Sequence, residues 1–227
     1  MLKSILNLFF PPICTGCKTL LLSNEKIICT HCRHEIPLTH HHLIKENEAF
    51  KKFYGRIDIE HASALYYFHK KGIVQELIHN LKYRGHEEIG TMIGEWYLDD
   101  LKKIPLLTTA HAIIPVPLHP KKLKTRGYNQ VSQFGKTLSK GLKIPYKEDI
   151  LFRKTHNKTQ SKKNLISRTE NIENIFDVHY SENEHQNHFI LIDDILTTGA
   201  TLEACCRALQ KIPEAKISIV CMAMAQS

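Results

Sequence analysis

The stretch Phe189-Ile-Leu-Ile-Asp-Asp-Ile-Leu-Thr-Thr-Gly-Ala-Thr-Leu202 restricts the fold more than any other part of this sequence. Four consecutive apolar residues, Phe189 to Ile192, read as a strand buried on both faces, the kind found inside parallel sheets. Asp193 and Asp194 follow at its carboxyl end, where open α/β sheets bind their ligands. After Ile195 and Leu196 come Thr197, Thr198, Gly199 and Ala200, then an amphipathic run from Thr201 to Gln210 that predicts a helix. Thr198-Gly199 is then a turn that presents free backbone N–H groups at a helix N-terminus. The threonine hydroxyls are extra donors, and such a turn cradles a phosphate. Two carboxylates that can accept from vicinal hydroxyls beside a phosphate turn describe a site for a ribose 5-phosphate.

Two other readings of this stretch are weaker. An apolar strand ending in acids also occurs beside the Mg²⁺ of P-loop ATPases, but Gly135-Lys136-Thr137 has Gln130 where that motif needs its first glycine. A plain solvated turn is the other reading, and it leaves four polar types and a glycine at fixed offsets without a purpose.

Cys14-Thr-Gly-Cys17 and Cys29-Thr-His-Cys32 form two C-x-x-C knuckles. Each places two thiolates on one tight turn, and two such pairs complete a tetrahedral Cys₄ site with no open position, which predicts structural Zn²⁺ rather than catalytic metal. Disulfides would need an oxidising compartment, and residues 1–10 lack a signal-peptide cleavage site. That segment is expected to be a short helix with Ile5, Leu6 and Phe9 packed inward. His31, His34 and His40 to His42 are expected to be a His-rich surface stretch, since four thiolates suffice. Cys205, Cys206 and Cys221 lie in apolar contexts and are expected in the core.

The net charge of +8 is unevenly placed. His119 to Asn171 carries 14 Lys and Arg against 3 Asp and Glu, leaving 17 against 20 elsewhere. A local excess of this size in a loop-rich region favours an anionic ligand, pyrophosphate or nucleic acid. No run of 18 apolar residues is present, so no membrane span is expected.

Along the chain, Lys45 to Arg56 reads as a polar linker, and a new domain begins near residue 59. Ala62 to Phe68 has strand character. Helices are expected over Ile73 to Leu81, closed by Leu81-Lys-Tyr-Arg-Gly85, and over Ile89 to Lys102. Lys82 and Arg84 read as ordinary helix-end cations. Ala112 to Pro117 is a short buried strand, followed by a cationic loop, His119 to Gln130, and a helix from about Val131 to Leu142. Arg126-Gly127 suits a pyrophosphate, because glycine allows close backbone approach and arginine offers a planar fork. Phe152 to Arg168 is a long basic loop. A strand near Phe176, the central strand, its helix and a last strand, Ile217 to Ala223, complete an alternation that predicts a mostly parallel sheet.

The Asp193–Thr201 stretch resembles the phosphoribosyl-pyrophosphate (PRPP) loop of type I phosphoribosyltransferases. Further motifs resemble the ComF family of bacterial competence proteins: the Cys₄ module after Pro11-Pro12, Leu81-Lys-Tyr-Arg-Gly85, and Pro115-Val-Pro-Leu-His-Pro120 with Arg126-Gly-Tyr-Asn-Gln130. Arg153-x-Thr155, Gln160 and Arg168-x-x-Asn171-x-x-Asn174-x-Phe176 complete the set. The connection Gln186-Asn187-His188 lacks the glycine expected before the central strand.

The resemblance implies a type I phosphoribosyltransferase-like α/β fold, a mostly parallel sheet flanked by helices (59–227), behind a small N-terminal Cys₄ zinc module and linker (1–58). It implies PRPP with Mg²⁺ at Asp193, Asp194, Thr197, Thr198, Gly199, Ala200, Thr201, Arg126 and Gly127. Arg153, Lys154 and Arg168 would close over it as charge leaves. It also implies a cytoplasmic protein acting on incoming single-stranded DNA at the inner face of the inner membrane, reached through partners in the DNA-uptake machinery. Lys121, Lys122, Lys124, Lys158, Lys162 and Lys163 are the candidate DNA contacts, with Tyr83 and Tyr128 as stacking faces. No acceptor site for a purine, pyrimidine or amide is recognisable, so enzyme and binding module both stand as expectations.

Overall fold

A computed structural model describes residues 11–154 and 175–226. The expected helix over 1–10 and the candidate residues Lys158, Lys162, Lys163 and Arg168 lie outside them. The hub is β5 (His188–Leu196), which pairs in parallel with β6 (Lys216–Ala225) on one side and β2 (Ala112–Pro115) on the other. β1 (His61–Phe68) adds in parallel beyond β6, giving the order β1-β6-β5-β2. Interior strands are buried on both faces, so Phe189 to Ile192 can be apolar without interruption.

One face of the sheet carries α3 (Ile73–Tyr83), α4 (Glu88–Leu101) and α7 (Ser132–Leu142) over Ile190, Ile192, Val220 and Met222. α7 lies close on β5: a side chain at Gly135 would meet Tyr146 at 2.5 Å and Ile192 at 2.6 Å. The other face carries α8 (Ala200–Leu209) over Phe189, Leu191 and Cys221. A two-stranded antiparallel ribbon, β3 (Leu151–Arg153) with β4 (Phe176–Val178), packs beside α8. Cys205, Cys206 and Cys221 are core residues, fully buried.

The Cys module joins the first of these cores. Cys14, Ile28, Cys32 and Ile36 share a buried cluster with Leu65, Tyr66 and Leu77. Asn80 Nδ2 on α3 donates to the Thr15 carbonyl at 2.7 Å, and the guanidinium of Arg33, on α1 (Thr30–Glu35), lies 5.1 Å from the centroid of the Trp96 ring. No helix among the described residues is long and apolar enough to cross a membrane.

Three sequence expectations are corrected. Lys45 to Arg56 is not a linker: it contains α2 (Glu48–Lys51), capped by Asn47, and buries Ala49 and Phe53. Asn47 is itself buried, accepting from Phe50 N–H at 3.0 Å and donating to the Ala62 carbonyl at 2.9 Å. The cationic loop after β2 is largely helical, with α6 over Pro120–Arg126. His119 caps it, Pro120 opens it, and Gly127 ends it at φ 80°. The His40–His42 stretch is not all surface: His41 is buried and accepts from Ala64 N–H, while His42 pairs with Asp100 at 3.2 Å. At the connection where a glycine was expected, Gln186 takes a left-handed φ of 59°.

Candidate ribose-phosphate and metal sites

The carboxyl end of β5 gathers side chains from four elements. Asp194 is 5% exposed, and its two oxygens each have a partner. Lys82 Nζ, near the end of α3, donates to Oδ1 at 2.9 Å, and Gln130 Nε2 donates to Oδ2 at 2.6 Å. Gln130 Oε1 in turn accepts from Arg126 Nη1 at 2.8 Å. The arginine expected at a pyrophosphate is therefore linked to the acid expected at a ribose through one amide. Arg126 also lies over Tyr83, 4.9 Å from the ring centroid. Lys82 and Gln130 were not among the candidate site residues. Both stood inside motifs quoted above, but helix-end placement made Lys82 look ordinary.

Asp193 lies on the opposite face of the strand. It pairs in register with Cys221, whose thiol, like that of Cys205, burial pushes well up. One of its oxygens accepts from the Asp194 N–H at 2.9 Å. Burial, reinforced by the Asp194 charge, pushes its carboxyl up to about 8.

Beyond β5 the turn is open. Thr197, Thr198 and Thr201 are exposed, and Gly199, at φ 81°, precedes α8. A non-glycine residue there is strained by that φ, and its Cβ would stand 3.0 Å from the Phe53 ring. The first N–H groups of α8 have no intrahelical acceptor, which is the geometry that binds phosphate.

Other candidates are placed as follows. Arg153 packs over Phe176 at 5.3 Å, and Lys154 is paired with Asp177 at 2.8 Å. Lys154, with Lys211 at 2.8 Å, holds the Asp177 carboxyl well below the usual range. Lys121, Lys122 and Lys124 are exposed on α6. Tyr83 is 64% exposed; Tyr128 is half-buried, its hydroxyl donating to the Leu81 carbonyl and its ring packing on the core. A cavity of about 620 Å³ opens at the carboxyl end of β6, lined by Glu48, Lys51, Lys52, Met224, Ala225 and Gln226.

The four knuckle thiols converge. All four Sγ atoms lie within 4.8 Å of one another, and Cys17 and Cys29 are 3.6 Å apart. Metal–sulfur bonds of about 2.3 Å in a tetrahedron require sulfur–sulfur edges of roughly 3.8 Å. Backbone N–H groups of Gly16 and Cys29 point at Cys14 Sγ, and that of Cys32 at Cys29 Sγ, as suits thiolate acceptors. Thr19 pulls the Cys17 thiol down to about 6 through its hydroxyl and backbone. The four residues can hold a metal ion such as zinc.

Comparison with known proteins agrees with this architecture. The Phosphoribosyl transferase domain model matches residues 132–227. Competence protein F of Haemophilus influenzae is 30% identical over 91% of this chain and 88% of its own length. The chain belongs to the ComF family. Competence protein ComFC of Bacillus subtilis is 26% identical, covering 87% of this ComF-family chain and 77% of its own. The DNA utilization protein YhgH of Escherichia coli O157:H7 is 23% identical, covering 92% and 89%. Among solved structures, an adenine phosphoribosyltransferase aligns with 66% of the ComF-family chain and 74% of its own at 14% identity, with a TM-score of only 0.39.

Proposed function

We propose that the chain binds PRPP or a related ribose phosphate with Mg²⁺ at the carboxyl end of β5, and acts on single-stranded DNA during uptake. One observation carries the reading: an open Thr197–Thr201 turn at a helix N-terminus stands beside Asp193 and Asp194, with Arg126 linked to Asp194 through Gln130. In that reading the turn takes the 5-phosphate and Asp193 and Asp194 the ribose hydroxyls. Arg126, with the backbone of Gly127, takes pyrophosphate, and Mg²⁺ would enter with PRPP beside Asp193 and Asp194 and neutralise the charge of the leaving group. Lys121, Lys122 and Lys124 give a cationic helix face for a phosphodiester backbone. The relatives' printed names, competence and DNA utilization, support the DNA-linked role. The Cys₄ site holds structural Zn²⁺, residues 1–58 and 59–227 are the two units, and the protein works in the cytoplasm, meeting the inner membrane through partners.

Turnover is a second reading, favoured by the cavity at β6. Arg126 follows β2, on one side of β5, and the cavity lies on the other side. An in-line displacement needs this arrangement: the acceptor's lone pair attacks the anomeric carbon, pyrophosphate leaves with the bonding pair, and the acceptor sheds a proton.

Calorimetric titration with PRPP and Mg²⁺, with and without a short single-stranded oligonucleotide, tests the proposal. The expected result is PRPP binding that the oligonucleotide alters and that the double change Asp193→Ala, Asp194→Ala abolishes without changing zinc content. PRPP binding undiminished in that variant would remove the site assignment.

A further inference from the structure

The segment before the sheet, which reads as a linker, reaches the phosphate turn. Phe53 is 1% exposed, and its ring covers Gly199. Arg56, three residues on, donates from Nη1 to the Lys52 carbonyl at 3.0 Å and to the Thr198 carbonyl at 2.9 Å. Its Nη2 pairs with Glu203 in the first turn of α8. Glu203 also meets Arg207 at 2.9 Å, and Arg207 donates to the Arg56 carbonyl at 3.0 Å.

We propose that Arg56 is a positioning residue for the ribose-phosphate site, acting through the Thr198 carbonyl. This rests on the reading of Thr197–Thr201 as the phosphate turn. A trans peptide is planar, with its C=O and N–H pointing in opposite directions. Holding the Thr198 oxygen toward Arg56 therefore holds the Gly199 N–H away from Arg56, on the side where a phosphate is bound. Gly199 is free to turn, because glycine occupies positive and negative φ alike. A flipped Thr198–Gly199 peptide would present an oxygen to the phosphate in place of a donor. Arg56 prevents that flip.

The charges agree with this role. Glu203 in the first turn suits the helix dipole but repels a phosphate at the same terminus. Arg56 and Arg207 flank that carboxylate and leave the trio with a net positive charge. An ordinary surface ion pair needs only the carboxylate, whereas Arg56 divides its fork between Glu203 and two backbone carbonyls. Lysine cannot reproduce that fork.

The experiment uses ribose 5-phosphate and, separately, pyrophosphate with Mg²⁺ as probes for calorimetry on the full chain. Wild type binds both. Arg56→Gln and Arg56→Lys each lower ribose 5-phosphate affinity at least tenfold and leave pyrophosphate affinity within twofold. Glu203→Gln, which breaks the ion pair but spares the Thr198 bond, keeps or raises ribose 5-phosphate affinity. Should Arg56→Gln fail to fold, Arg56→Lys carries the comparison, since it retains the charge beside Glu203. Ribose 5-phosphate affinity within twofold of wild type in the Arg56 variants, or an equal loss in Glu203→Gln, overturns the proposal. Absence of ribose 5-phosphate binding by wild type overturns the phosphate reading itself, and this inference with it.

Discussion

Asp193 and a pair of buried histidines set opposite limits on the pH range of the fold. An unfolded aspartate titrates near 3.8, while burial pushes Asp193 up to about 8, so between those values the folded chain holds the extra proton. Stability from this group is greatest at low pH and declines as pH rises through about 8. Asp193→Asn removes the decline: its urea midpoint is expected to exceed that of wild type at pH 8 and to converge with it as pH falls toward 4, and on the proposed reading PRPP binding is lost. His41 and His61 behave in reverse. Burial holds both near 4 against 6.5 unfolded, so the unfolded chain binds more protons between those values and stability falls as pH drops from about 6.5 toward 4. The Nε2 atoms of both histidines are buried without a hydrogen-bond partner among the described residues. His61→Leu is expected to flatten that acid-side loss in urea titrations at pH 4.5 to 7.

At the scale of elements, α2 is short but leads into Phe53, whose ring covers Gly199 in the Thr197–Thr201 turn. Asn47→Ala removes its cap and leaves the Ala62 carbonyl without the Nδ2 donor. A loss of about 2 to 3 kcal/mol is expected from a cap plus a buried carbonyl, read by urea denaturation; a loss below about 0.5 kcal/mol would contradict the role given to Asn47. Elements were legible in proportion to their period. β5 and α8 announce themselves by an unbroken apolar run followed by helical spacing, and α3, α4 and α7 are long enough for periodicity to show. α2 has four residues and cannot display one. α6 is cationic all round with no buried residue, so nothing in its apolar pattern distinguishes it from a loop. The same holds within the candidate site: Asp193 to Thr201 stands out as a motif because its spacing is local. The Arg56–Thr198 bond joins positions 142 residues apart and leaves no local trace.

At the scale of the whole molecule, the Cys module and the sheet share one buried cluster, so they are expected to unfold together. Cys29→Ser should lower zinc content, read by atomic absorption, and lower the thermal midpoint of the entire chain by at least about 5 °C in a single transition. A separate, unshifted transition for the sheet domain would show that the shared cluster contributes no coupling.

The strand order also governs how this chain can fold while it is being made. β1 meets an isolated bridge from Leu38 on one edge, but its full-length partner is β6, where His61 stands opposite Ser218, and β2 likewise pairs along its length with β5. Synthesis at about 5–20 residues per second leaves β1 without that partner on the order of ten seconds after it emerges. The four cysteines, by contrast, all precede β1 in the chain and emerge before it. The first strand thus waits for its last partner, and a metal held by the knuckle would give the unfinished polypeptide an early fixed point.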